Sequence, residues 1–420
     1  MTGKRLRNWL QNGTLVLLCA LTLLQLAQLP LLQNIRLSSN RLFSQSDGGE
    51  VQAESAPLSA MFPAVNLMAT VDSEHGRCGQ LCLSADSAAL QAVIPLFKEA
   101  IGSATETGQV ADETFRAALN YPGLFLELTS GPLPLEVVAA WLGETAAFSR
   151  EVRAMALTTG EDDVTSLYLL DGEGRIFRYG TALYPPAVRS VCEGFLANGG
   201  VFSYETGYVA LAPYTVLAQE VAVPAVLSSE RPAGYSAYNL LSALGFNAHT
   251  FSRYTESGGA EVVEESPRTL RIAPDGTVTL TNRGTGASNL YQTSSQGLPE
   301  VLATAWRLAM ALTEGTGASP LFLQAVEETE SGCVLRFRYQ VDGVPVFFAD
   351  GGDALSVVFQ NGTVSSFTYR CRAYEPLEEE PAPLLPTDMA QAIAAAYPDA
   401  ALSIGYVDDG SGRTAAQWRR

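Results

Sequence analysis

The residues with the clearest chemical potential are His75, Cys78 and Cys82, which read H-x2-C-x3-C. Imidazole and thiolate are zinc ligands, and three of them at this spacing could hold most of a tetrahedral site. A fourth ligand and a second Cys pair are missing from the neighbourhood, so a disulfide between the two thiols and ordinary side chains at a turn are competing readings. Cys333 and Cys371 flank a β-rich stretch and would form a bridge only if the sheet brought their Cα atoms within about 7 Å. Cys192 falls on a helical pattern and is expected in a core, and Cys19 lies in an apolar run near the start. The acidic runs Glu378-Glu379-Glu380 and Asp408-Asp409 stand beside Pro and Gly and are expected in solvated loops. Tyr204, Tyr208 and Tyr214 form one aromatic cluster, and Tyr235, Tyr238 and Phe246 another. Exposed Tyr suits protein or sugar recognition, whereas strand packing would bury it. Arg336 and Arg338 alternate with Leu335 and Phe337, which predicts a strand with one solvated, basic face. No GxSxG, HExxH, SxxK or supported Cys/His pattern occurs, and no GxGxxG opens a helix after a strand. The sequence therefore offers no catalytic, cofactor-binding or metal-binding residue for assignment, and no cofactor is expected.

The elements that would carry these residues follow from periodicity. Helical spacing covers 85–101, 112–120, a segment opened by Pro134, 187–197, 238–244, 299–312 with a stop at Gly315, and 387–396. Strands are expected at 124–128, 165–170, 175–179, 268–272, 277–281, 334–341, 344–348, 354–359 and 363–374. Turns at Asp171-Gly172, Pro274-Asp275-Gly276, Asp342-Gly343 and Asn361-Gly362 join several of them into hairpins. Hairpins with segregated helices predict an α+β fold of antiparallel sheets with packed helices. Pro224, Pro232 and the Ser-Ser-Glu-Arg turn between them suggest a boundary, giving a first module at 61–230 and a second at 231–420.

Ahead of these modules, Lys4, Arg5 and Arg7 precede a run from Trp9 to Leu32 that contains no charge. About 20 helical residues cross a hydrocarbon core, and flanking cations stay cytoplasmic. The expectation is a basic cytoplasmic tail at 1–8, a single transmembrane helix at 9–32, and a Ser-, Gly- and Gln-containing linker at 33–60. A cleaved signal peptide competes with this, although LAQLPLLQ lacks a clean small-x-small site. A lipoprotein competes less well, because Cys19 follows two Leu and lies mid-run. Gln25 and Gln28 share a helix face and suit either the outer interface or a partner helix.

The chain has 26 Lys plus Arg against 44 Asp plus Glu, a net charge of −18. Residues 1–32 contain three of the basic residues and no acid, so 33–420 carries 23 against 44, or −21. A domain this acidic lacks the cations that displace counterions from phosphate, which argues against a nucleic-acid partner. Two His in 420 residues leave little scope for histidine catalysis.

Two stretches, NLLSALGFNAHTFSRYTESGGAEVVEESPRTLRIAPDGTVTLTN and LRFRYQVDGVPVFFADGGDALSVVFQNGTVSSFTYRCRAYEPL, together with one N-terminal anchor, resemble the YycH/YycI family of extracytoplasmic proteins of Gram-positive bacteria. The strand-VDGVPV-strand-QNG-strand order also resembles PepSY-like modules. The likeness covers about residues 235–375 and rests on element order and turn phrases. It implies a non-enzymatic, membrane-anchored regulator of a two-component system that controls cell-wall metabolism. The implied partner is a sensor histidine kinase, met through the helix at 9–32 and the ectodomain, with a paralogous regulator as a further partner. An anchored module binding cell-wall glycan or peptide is the alternative.

Overall fold

The fold is known from a computed structural model, which describes residues 58–419 apart from 73–75, 161–162, 207–210, 219–224, 230–231, 233–234, 248, 285–290, 294–296 and 378–402. The anchor expected at 9–32, the linker at 33–60 up to Pro57 and the helix at 387–396 lie outside these residues. Among the described residues no helix is long and apolar enough to cross a membrane. The chain is mixed α+β, and its sheets are mostly antiparallel.

The first sheet is built from β1 (Val65–Asp72), β2 (Gly76–Leu83), β3 (Thr105–Val110), β4 (Gly123–Leu128), β5 (Ala154–Thr159), β6 (Thr165–Leu170) and β7 (Ile176–Gly180). Its order is β2-β1-β4-β5-β6-β7-β3, with every neighbour antiparallel. Both faces of its centre are covered. Leu124, Leu126 and Leu128 of β4 point to one side, where they pack with Val93 and Phe97 of α1 (Ala88–Gly102). Phe125 of the same strand points to the other, with Met68, Tyr168 and Phe115 of α2 (Asp112–Ala118). Strands buried on both faces read as apolar runs rather than alternations, which is why periodicity missed β1 and β5. The first face is completed by α3 (Leu135–Leu142) and α4 (Pro185–Cys192). The helix expected at 187–197 stops at Cys192, and residues 194–200 leave as a loop.

After β8 (Val226–Ser229) and α5 (Ala237–Ala243), the second sheet takes up β9 (Ser252–Thr255), β10 (Glu261–Glu265), β11 (Arg268–Ile272) and β12 (Thr277–Asn282). Helix α6 (Leu298–Thr316) follows, and then β13 (Leu321–Thr329), β14 (Gly332–Val341), β15 (Val344–Phe348), β16 (Leu355–Gln360) and β17 (Thr363–Arg370). The main path is β9-β10-β11-β12-β17-β16-β14-β15, with β13 on the free side of β14. Helix α6 passes through Gly315 rather than stopping there, and ends at Gly317 in a left-handed conformation. Gly315 is where α5 comes close: a Cβ there would lie 3.3 Å from the Leu240 Cα.

The strand expected at 363–374 breaks at Cys371-Arg372. Residues 373–376 form β18 (Ala373–Pro376), which pairs with β8 in a separate three-stranded sheet. That sheet is completed by β20 (Arg413–Thr414). Between them in sequence comes β19 (Ser403–Asp408), which joins the second sheet alongside β15 in parallel and pairs with β21 (Ala416–Arg419). The described residues form one compact unit, and a single apolar cluster runs from Val65 and Leu90 to Phe337 and Tyr406. The contacts between the sheets are close. The Ala64 N–H donates to Gln340 Oε1 at 3.1 Å, and Gly343, at φ +78°, leaves only 1.9 Å between a hypothetical Cβ and the Cys82 carbonyl oxygen.

Candidate functional site

Strand β2, not a turn, carries Cys78 and Cys82. Cys78 is buried, and Cys82 takes a positive φ of 56° while its N–H donates to Asn66 Oδ1 at 3.0 Å. His75 lies outside the described residues. Among the described residues no three His, Cys, Asp or Glu side chains are grouped to hold a metal ion, and Cys78, Cys82, Cys192, Cys333 and Cys371 are all free thiols. Register keeps Cys333 and Cys371 apart. Cys333 lies opposite Phe359, which lies opposite Val364, whereas Cys371 follows the end of β17. Seven residues of strand separate Val364 from Cys371, roughly 23 Å at about 3.3 Å each, so the sheet cannot bridge them. Burial pushes the Cys82 thiol up to about 12, with the Glu127 carboxylate adding to the effect, and burial takes Cys192 to about 12 as well. Neither is an activated nucleophile at neutral pH.

Most of the remaining sequence candidates are also consumed by packing. Tyr204 and Tyr214 meet edge to face, 5.5 Å between centroids, under the guanidinium of Arg116; Tyr208 lies outside the described residues. Phe246 is buried beneath Arg268, at 4.5 Å, whereas Tyr238 is exposed. The face of β14 expected to be basic is charge-compensated. Arg336 is bound by Glu327 at 2.8 Å and Asp353 at 2.6 Å, and Arg338 lies over the Phe347 ring at 4.0 Å. Sequence spacing could not show these acids, which come from β13 and from the loop before β16.

Asp408 departs furthest from expectation. It is 5% exposed, not a solvated loop acid, because β19 inserts beside β15. Its Oδ2 accepts from the Ser228 hydroxyl at 2.8 Å and the Tyr374 hydroxyl at 2.7 Å, and faces Arg372 Nε at 3.6 Å. Three separate chain segments, carrying Ser228, Arg372 with Tyr374, and Asp408 itself, thus meet at one carboxylate. The ion pair neutralises the charge and the hydroxyls fill the lone pairs, so the cluster has the character of a structural lock. Glu378, Glu379 and Glu380 lie outside the described residues.

One concavity stands apart from these packed groups. A cleft of about 660 Å³ opens between β2, α1, α4 and the loop after α4. Cys78 and Gln80 form one wall, Ala89 and Ala92 another, and Val191 and Leu196 the rim. Ser87 caps α1 by accepting from the Leu90 N–H at 3.2 Å, and the first turns of that helix present Ala88, Ala89 and Ala92 to the cleft. The loop is fixed by Asn198, whose Oδ1 accepts from the Gly79 N–H at 2.8 Å while its Nδ2 donates to the Gly79 carbonyl at 2.7 Å. Gly200 lies so close that a Cβ would meet the Gly79 nitrogen at 2.5 Å. This clamp covers part of the outer edge of β2 and leaves Leu196 at 87% exposure. None of the lining residues is charged, in a chain with 44 acids. Such a lining suits a neutral, partly apolar group and offers no acid, base or nucleophile of ordinary reactivity. Sequence reading missed it because its residues come from four elements, and the one that stands out chemically, Cys78, is marked by its spacing to Cys82 rather than by these neighbours.

No family model, curated protein or solved structure matches the chain.

Proposed function

We propose that this chain is a membrane-anchored, extracytoplasmic regulatory protein that modulates a two-component sensor histidine kinase linked to cell-wall metabolism. The observation that carries the proposal is the N-terminal order: three cations, then a run at 9–32 without charge, then an acidic folded unit. Insertion with the cations inside leaves residues 33–420, of net charge −21, outside the cytoplasm. In this reading residues 9–32 pair with a kinase helix, and the unit itself contacts the kinase ectodomain without performing catalysis. The resemblance to the YycH/YycI family supports the same reading. The likeness of the second module to PepSY-like modules gains support from α6 followed by antiparallel β13, β14, β16 and β17.

Membrane crosslinking of the full-length protein, followed by identification of the captured partner, tests the proposal. A histidine kinase should be recovered, and exchanging residues 9–32 for an unrelated anchor should abolish recovery. Unchanged recovery after the exchange would refute helix-mediated contact.

The second reading, an anchored module for cell-wall glycan or peptide, is favoured by the exposure of Tyr184 and Tyr238, at 69% and 72%. Tyrosine rings can stack on sugar faces and hold a polar tip toward water. Co-sedimentation of the full-length protein with isolated peptidoglycan, lost in the Tyr184→Ala, Tyr238→Ala double variant, would support that reading over the regulator.

A further inference from the structure

Glu127 is a carboxylate in an unusual place. It belongs to β4, where the pleat points it to the same face as Phe125, and it is 6% exposed. Directly opposite in register is Asn66 of β1, whose Nδ2 donates to Glu127 Oε2 at 3.0 Å. The same oxygen accepts the backbone N–H of Val216 at 3.2 Å. Val216 belongs to a described segment, residues 211–218, that lies across this face of the first sheet. The segment pairs Val216 with Phe202 in a two-residue ladder and contributes Tyr214 to the aromatic cluster, 4.9 Å from the Phe115 ring. Phe125 and Phe202 meet edge to face at 5.1 Å within the same cluster. The cover is also held by the Ser203 and Tyr204 N–H groups, which donate to the Thr215 and Pro213 carbonyls at 3.0 and 2.9 Å, and by the Tyr214 hydroxyl, which donates to Asp112 Oδ1; the Val216 N–H ties it to a buried acid.

We propose that Glu127 and the Val216 amide form a proton-sensitive latch, which holds residues 211–218 over the aromatic face of the first sheet most tightly when Glu127 is protonated. Each group facing Glu127 has a defined role. Arg153 Nη2 lies 3.6 Å from Oε1 and favours the anion. The Cys82 thiol on β2 stays protonated and uncharged in the ordinary pH range. Asn66 and the hydroxyl of Thr215 are neutral donors. Burial outweighs these favourable contacts and pushes the Glu127 carboxyl above its ordinary 4.5. Lifting residues 211–218 admits water and returns the group to its ordinary behaviour. The closed form then binds the proton more tightly than the open form, so closure weakens as pH rises from 4.5 through the elevated value. A neutral carboxyl still offers an oxygen to the Val216 N–H, so protonation does not cost the bond.

The test is amide hydrogen exchange of the full-length protein between pH 4.5 and 8, with intrinsic exchange chemistry divided out. The protection of Val216 and its neighbours should fall with rising pH, by up to about tenfold per pH unit within the window, the limit for release of one proton. Glu127→Gln, which keeps the shape and an acceptor oxygen, should make that protection independent of pH. Flat protection in the wild-type protein, or an unchanged pH slope in Glu127→Gln, overturns the proposal. If the variant fails to fold, the carboxyl ¹³C shift of Glu127 in the wild-type protein decides. Titration in the ordinary carboxylate range refutes the latch; titration above it sustains the latch only if the protection of Val216 in the wild-type protein falls over the same pH range.

Discussion

Replacing Asp408 should unfold the protein more readily than any ordinary surface change, and the structure sets the size of the effect. Asp408→Ala removes the acceptor for Ser228 and Tyr374 and leaves Arg372, whose side chain is 9% exposed, without its carboxylate. Arg372 keeps two carbonyl acceptors at 2.9 Å, Asp275 and Cys371, but its positive charge is no longer balanced. Stranding one member of a buried pair costs about 3–5 kcal/mol, and the orphaned hydroxyls belong within that range rather than on top of it, because the effects share a site. A loss of about 4 kcal/mol is therefore expected from urea unfolding followed by fluorescence. Asp408→Asn keeps an acceptor oxygen and the packing volume but strands the Arg372 charge in the same way, and should cost about 3 kcal/mol, the low end of that range. The decisive variant is the double change Arg372→Met with Asp408→Leu. Removing both charges abolishes the desolvation problem, so the double variant should be at least about 2 kcal/mol more stable than Asp408→Ala. A cost below about 1 kcal/mol for Asp408→Ala, or a double variant no better than the single, would refute the view of this cluster as a buried, mutually compensated lock.

Other consequences follow from the same structure. Gly343→Ala should lower stability by about 2–4 kcal/mol in thermal or urea unfolding, because the residue has φ +78° and a Cβ would lie 1.9 Å from the Cys82 carbonyl oxygen; Gly351→Ala, at φ +79° in open space, should cost about 1 kcal/mol and isolates the clash from the backbone strain. Stability should fall on acidification below about pH 4. Burial raises the Asp171 carboxyl, but hydrogen bonds from the Arg175 side chain and from the Arg175 and Glu173 N–H groups outweigh it and hold the group below its usual range; Arg336 does the same to Glu327. Carboxylates lowered in this way stabilise the fold above their unfolded values, and that contribution is lost as pH falls through the folded ones, so Asp171→Asn should flatten the acid limb of a stability–pH profile. Cys78, Cys192, Cys333 and Cys371 should react with a thiol reagent at pH 8 only at the rate of opening, and promptly in denaturant, since each is buried and raised by that burial; rapid native modification of any of these four would contradict the packing described.

Local chemistry in the sequence was enough for the turns and for most of the elements they join. Asp342-Gly343 and Asn361-Gly362 both adopt positive φ at each residue, 48° and 78° in the first and 51° and 74° in the second. Asp, Asn and Gly tolerate that region, so two residues decide a hairpin wherever they occur. Helix α6 was likewise legible from Pro299 and a sustained apolar stripe, although its end was not. Gly315 looked like a stop, yet it serves as the point of close approach for α5, a role that depends on a helix more than fifty residues earlier.

The partners of the polar groups, by contrast, were settled only by the tertiary structure. Asp408 reads as half of a solvated acidic pair until β19 is seen beside β15, more than fifty residues away in sequence. Arg336 reads as a free cation until Asp353 is placed against it. Cys78 and Cys82 suggest a ligand spacing until β2 fixes one in the core and turns the other under Asn66. The physical reason is the same in each case. Turn and helix preferences are sums over a few neighbouring dihedrals, which the sequence states directly. The free energy of a charge or thiol depends on the water it loses and the groups it gains, and those groups arrive from distant segments when the sheets close.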